Sequence, residues 1–131
     1  MKRTALVIED NEQNLYLVTF LLENNGDQVV QARDGREGIE LAARMRPALI
    51  LLDIQLPGMD GYQVAQALRG NPALAGVPIV AVTSYAMAGD RERALAAGCS
   101  GYVEKPIDPE TFIRDVERYV PKESAKEGGT Q

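Results

Sequence analysis

The stretch Leu49-Ile50-Leu51-Leu52-Asp53, followed by Gln55-Leu56-Pro57-Gly58-Met59-Asp60-Gly61, decides how the rest of the chain is read. Four consecutive aliphatic residues, with no polar residue between them, make the pattern of a strand buried on both faces, as in a parallel sheet. The run closes on a carboxylate, and the Leu56-Pro57-Gly58 segment reads as a rigid loop beside it. Similar short runs lie on either side: Ala5-Leu6-Val7-Ile8, Gln28-Val29-Val30-Gln31-Ala32, Ile79-Val80-Ala81-Val82 and Gly101-Tyr102-Val103.

Helical spacing fills the intervals. Leu15, Val18 and Leu22 recur on one helix face, as do Ile39, Ala42 and Ala43, then Ala65 and Leu68, then Ala94, Leu95 and Ala97, and finally Ile113, Val116 and Val120. Asp34 is placed to cap the second helix, and Asp108-Pro109 opens the last. Gly26, Gly70 and Gly98 follow helical stretches, where a left-handed residue is often required. Strand–helix alternation repeated five times predicts an α/β fold. It is a doubly wound (βα)5, flavodoxin-like three-layer sandwich, with a parallel five-stranded sheet in the order 2-1-3-4-5. One domain over 1–121 is expected, with 122–131 as a polar, flexible tail.

Composition narrows the function. The 131 residues suit one domain, 45% are hydrophobic, and the formal charge is −5, which argues against direct nucleic-acid binding. No apolar run approaches the ~20 residues of a membrane span, and Met1-Lys2-Arg3 leads directly into the first strand, so a cytoplasmic protein is expected. The lone Cys99 excludes an internal disulfide and reads as a small filler. With no histidine present, the chain cannot itself be a phosphohistidine carrier.

The chemistry stands at the C-terminal ends of the strands. The first ends in Glu9-Asp10, the third in Asp53, the fourth in Thr83-Ser84 and the fifth in Glu104-Lys105-Pro106. In an open α/β sheet these ends share one edge, and ligands bind where the strand order reverses. That point lies between the first and third strands, so Glu9, Asp10 and Asp53 should converge there. Carboxylates brought together repel one another unless one takes a proton or a cation intervenes. A hard divalent ion such as Mg2+ suits oxygen ligands and shares its shell with phosphoryl groups. Lys105 adds a compact positive charge, and the Thr83 hydroxyl can bond a phosphoryl oxygen. These are the parts of a phosphoryl-transfer site with an aspartate nucleophile. Taken singly, Asp10 could cap a helix, Asp53 could sit in a turn, Thr83 could bond backbone and Lys105 could be a solvated charge.

The set Glu9-Asp10, Asp53 with Leu56-Pro57-Gly58-Met59-Asp60-Gly61, Thr83-Ser84 and Lys105-Pro106 resembles the response-regulator receiver family over about residues 4 to 120. The resemblance implies roles. Asp53 would take a phosphoryl group from the phosphohistidine of a sensor histidine kinase or His-phosphotransfer protein. Asp10, Asp53 and the Gln55 backbone carbonyl would hold Mg2+, or Mn2+ as a substitute, with Glu9 acting mainly through water. Thr83 and Lys105 would contact the phosphoryl group, Lys105-Pro106 would be cis, and Tyr102 would follow Thr83 as a switch residue. Gln55 and Tyr85 would tune the lifetime of the phosphate. The surface of the fourth helix, fifth strand and fifth helix would then signal to a protein target, from a monomer or a phosphorylation-dependent dimer. Met87-Ala88-Gly89-Asp90 and Ala97-Gly98-Cys99 resemble stand-alone cell-cycle receivers and the receiver modules of hybrid sensor kinases. A single-domain regulator or phosphorelay shuttle and a module of a larger kinase both stay open.

Two rival chemistries fit less well. Phosphatases that use an aspartyl phosphate need a second Asp two residues after the nucleophile, where this chain has Gln55. A flavin module of the same topology needs a hydroxyl- or glycine-rich loop after the first strand, where this chain has Glu9-Asp10-Asn11-Glu12.

Overall fold

The structure is a computed structural model that describes residues 3–84 and 88–121. Its elements alternate as the spacing predicts: β1 (Thr4–Ile8), α1 (Glu12–Asn24), β2 (Gln28–Ala32), α2 (Gly35–Met45), β3 (Leu49–Asp53), α3 (Gly61–Arg69), a 3-10 turn (Pro72–Leu74), β4 (Ile79–Thr83), α4 (Ala88–Ala96), β5 (Gly101–Glu104) and α5 (Phe112–Glu117). The strands are parallel and ordered β2-β1-β3-β4-β5. Tyr85 and the segment 122–131 lie outside the described residues.

Alternation along the central strands sorts the core into two layers. Leu6, Ile8, Ile50, Leu52, Ile79 and Ala81 face α2, α3 and α4. Ala5, Val7, Leu49, Leu51, Val80 and Val82 face α1 and α5, meeting Leu15, Val18, Leu22, Phe112 and Val116. β3 and β4 are buried along their whole length, which explains their unbroken apolar sequences.

Local chemistry fixes the helix starts. Asn11 caps α1 by accepting the Asn14 N–H, and Asp34 caps α2 by accepting the Glu37 N–H. Asp60 and Gln63 form a reciprocal capping box on α3. Four expectations need correction. Ala43 is exposed, whereas Ala42 is buried as expected, together with Gly35 and Gly38. Leu95 is 45% exposed, because only Ala94 and Ala97 of its group turn inward. Gly26 (φ 97°) and Gly98 (φ 107°) are left-handed as expected, but Gly70 is right-handed (φ −73°), and a further left-handed helix end falls at Arg46 (φ 48°). Asp108 starts a turn, with its carbonyl accepting from Thr111 and Phe112, and α5 proper begins after Thr111.

α4 has an unusual attachment. Among its described side chains only the Ala94 methyl is buried, and a methyl contributes far less than a leucine side chain. Two arginines add to it: the Arg93 guanidinium lies 4.2 Å above the Tyr62 ring of α3, and that of Arg91 lies 5.9 Å from the Tyr102 ring of β5. At its C-terminal end Arg69 donates to the Gly98 carbonyl at 2.9 Å. On the other face of the sheet, Arg3 forks onto buried Asp27 at 3.0 and 2.8 Å and onto Glu117 at 3.2 and 2.8 Å, tying β1 to α5.

Candidate functional site

The parallel register places the site. Ile8 pairs with Leu52, so Glu9 and Asp53 stand level, one step past the paired residues of two adjacent strands. The ladder continues just far enough to hold these ends. The Glu9 N–H donates to Ala32 O (2.9 Å), the Ile54 N–H to Val82 O (3.1 Å), and the Lys105 N–H to Thr83 O (2.8 Å).

Glu9 and Asp53 are buried at 3% and 2% exposure, whereas Asp10 is exposed. One carboxylate oxygen from each of the three lies within 4.8 Å of the others. Lys105 reaches in from the end of β5, its Nζ 3.2 Å from Asp53 Oδ1 and 3.4 Å from Glu9 Oε1. Backbone donors fix the acids further: the Asn11 N–H donates to Glu9 Oε2 (3.2 Å) and the Gln55 N–H to Asp53 Oδ1 (2.9 Å). Burial pushes the Glu9 carboxyl up to about 7, helped by a hydrogen bond to Asp53 and by its charge, with Lys105 and the Asn11 N–H pulling the other way. Two buried acids sharing one lysine thus leave room for additional positive charge. The donors are all hard oxygens, which fits Mg2+ or Mn2+. Because Asn11 caps α1, Asp10 is not used as the helix cap and its carboxylate belongs to this cluster.

Of the other expected residues, Thr83, Gln55 and the Lys105–Pro106 pair fall at the same edge. Thr83 is buried at the end of β4. Gln55 is exposed in the β3–α3 connection, and its side-chain Oε1 accepts the Ser84 N–H at 3.2 Å. That connection is tight, since a Cβ on Gly61 would meet Ile54 backbone atoms at 2.4 to 2.7 Å. The Lys105–Pro106 peptide bond is cis. Tyr102 is half-buried on β5 beneath Arg91, on the flank of the site.

Sequence reasoning missed two relationships here. The Gln55–Ser84 link joins residues 29 apart and has no local signature. The contacts of Arg91 with Tyr102 and of Arg93 with Tyr62 also join separate elements, and the sequence around each arginine does not single out its partner ring.

Comparison with known proteins agrees with this geometry. The family model for the response regulator receiver domain matches residues 5–117. The polar-differentiation response regulator DivK of Brucella anthropi is 40% identical over 120 residues, which span 92% of this chain and 98% of that protein. The receiver domain of a sensor histidine kinase from Pseudomonas aeruginosa, with a magnesium ion coordinated in its active-site cleft, superposes with a TM-score of 0.82 at 34% identity, covering 91% of this chain and 98% of that one. The chemotaxis response regulator CheY4 of Vibrio cholerae gives a TM-score of 0.88 at 27% identity, covering 92% of this chain and all of that one (100%).

Proposed function

The chain belongs to the response regulator receiver domain family, and on that premise we propose that Asp53 accepts a phosphoryl group from a phosphohistidine in a Mg2+-dependent reaction. The observation that carries this reading is the buried pair Glu9 and Asp53, joined by Asp10 and bridged by Lys105.

In the transfer, an Asp53 carboxylate oxygen forms the new O–P bond as the P–N bond to the donor imidazole breaks, and the electron pair stays on the imidazole nitrogen. Lys105 and Thr83 are placed to meet the phosphoryl oxygens. Glu9, Asp10, Asp53 and the Gln55 carbonyl would hold Mg2+, or Mn2+ in its place; when bound, the ion neutralises charge on the transferring group. The chain is a signalling module, and the only reactions assigned to it are its own phosphorylation and hydrolytic dephosphorylation.

The donor is a sensor histidine kinase or a His-phosphotransfer protein. It must cover the sheet edge where α1 begins, and α1 presents exposed Tyr16 and Phe20 one turn apart. Phosphorylation would draw Thr83 toward the new charge, with Tyr102 following and the α4-β5-α5 face changing for a downstream protein. Gln55 and Tyr85 would govern how long the phosphate persists. A cytoplasmic single-domain regulator or phosphorelay shuttle is supported by the near-complete match to DivK. The likeness to a kinase receiver domain supports the second reading, a module of a larger sensor kinase. No described helix is long and apolar enough to cross a membrane.

Incubation with labelled acetyl phosphate and Mg2+ tests the assignment. Wild type should take up acid-stable, base-labile label; Asp53→Asn, and wild type with a chelator, should not. Uptake at the wild-type rate by Asp53→Asn would falsify the acceptor assignment.

A further inference from the structure

We propose that the Gln55 side chain is a displaceable tether: it occupies the Ser84 backbone N–H in the unphosphorylated protein and yields that donor to the phosphoryl group on Asp53. The inference rests on the reading of Asp53 as acceptor.

Gln55 touches both sides of the reaction. Its backbone N–H donates to Asp53 Oδ1 at 2.9 Å, while its side-chain Oε1 accepts from the Ser84 N–H at 3.2 Å. One residue therefore links the reacting carboxylate to the first residue after β4, across a sequence gap of 29. The register brings these places together. Asp53 pairs with Val82, Ile54 is bonded to the Val82 carbonyl, and Ser84 follows buried Thr83 at the same sheet edge. The Ser84 N–H is thus a backbone donor beside the acceptor, already in use.

Phosphorylation changes the competition for it. A phosphoryl group brings charged acceptor oxygens, and a hydrogen bond to a charged oxygen is roughly twice as strong as one to a neutral amide. Gln55 is exposed, so water can satisfy its amide once it lets go. Releasing Ser84 frees the backbone N–H of the first residue after β4. The tether therefore opposes phosphorylation slightly and couples it to the end of β4. A net hydrogen bond of ordinary strength corresponds to an effect of about three- to tenfold.

Two variants separate the tether from a simple structural role. Gln55→Met keeps the length of the side chain and removes the acceptor, whereas Gln55→Glu keeps an acceptor oxygen. In the unphosphorylated, 15N-labelled full chain, Gln55→Met should speed exchange of the Ser84 amide about three- to tenfold, and Gln55→Glu should retain protection. In the presence of Mg2+, fluoroberyllate, a phosphoryl stand-in, should bind Gln55→Met about three- to tenfold more tightly than wild type. Unchanged Ser84 exchange in Gln55→Met would overturn the tether. Fluoroberyllate affinity at or below the wild-type value would overturn the displacement. If fluoroberyllate bound neither protein, the acceptor reading would fail and the displacement with it, while Ser84 exchange would still report the tether itself.

Discussion

Lys105 Nζ lies 3.2 Å from Asp53 Oδ1, and the same ammonium lies 3.4 Å from Glu9, so one half-buried cation is shared by two buried carboxylates. Replacing it with a neutral side chain of similar length removes a charge aimed at the reacting group. Lys105→Met should slow phosphoryl uptake from acetyl phosphate by about 10- to 100-fold. Mg2+ should bind the variant more tightly, because the ion no longer competes with the ammonium. Labelled uptake and a Mg2+ titration check both, and an unchanged uptake rate would show that Lys105 only balances charge.

Glu9 gives the metal-free protein a pH dependence with a definite sign. Its carboxyl is raised from an ordinary 4.5 to about 7, chiefly by burial. The folded state thus holds this proton more tightly than the unfolded chain. The Glu9 contribution to stability is complete below pH 4.5 and is lost as pH rises to about 7, on the order of 3 kcal/mol in all. Mg2+ binding needs the charged carboxylate, so metal affinity should rise across the same window. Chelator-treated protein unfolded in urea at a series of pH values should show the decline, and Glu9→Gln should flatten it.

Gly61 closes the connection that carries Gln55. An added Cβ would meet the Ile54 Cα at 2.4 Å and its carbonyl oxygen at 2.5 Å, and backbone cannot swing away as a side chain can. Gly61→Ala should lower stability by about 2–4 kcal/mol. It should also weaken Mg2+ binding by opening the loop beside Asp53. Gly76→Ala is the matched control, since nothing lies within 4 Å of its Cβ position. Equal midpoints for the two variants in denaturant would refute this account of the loop.

The two arginine–tyrosine contacts of α4 differ in closeness, 4.2 Å for Arg93–Tyr62 and 5.9 Å for Arg91–Tyr102. Arg93→Met should therefore reduce stability by about 0.5–1 kcal/mol and Arg91→Met by less. A double-mutant cycle with Tyr62→Leu isolates the stacking energy. A coupling near zero would mean that the ring merely packs against the arginine stem.

The layers of this fold were legible in the sequence because both-face burial writes itself as unbroken aliphatic runs. Leu49 to Leu52 and Ile79 to Val82 have no other simple reading, and their observed bounds differ only by the polar residue that ends each strand. Helix faces were harder where residues are small. Ala43 and Leu95 satisfy an apolar spacing yet face outward. Gly38 carries no hydrophobic signal, but a Cβ there would meet Ile8 Cδ1 at 2.4 Å, so the helix packs closely through its bare backbone. On α5 the buried residues are Phe112 and Val116, whereas the apolar spacing of Ile113, Val116 and Val120 points one residue further along the helix. At the site, convergence of the strand ends followed from topology alone. The Gln55 side-chain bond did not, since it depends on a rotamer and on the course of a second loop.

The guanidinium groups over Tyr62 and Tyr102 have an optical consequence. The chain has five tyrosines and no tryptophan, so its near-ultraviolet spectrum is a tyrosine spectrum. Both stacked rings are covered from the same helix, while Tyr16, 72% exposed, supplies a solvent-like background. A displacement of α4 alters the charge above two chromophores at once, one on each flank. The unlabelled protein therefore carries its own reporter of helix position, readable as difference absorbance when a phosphodonor is added.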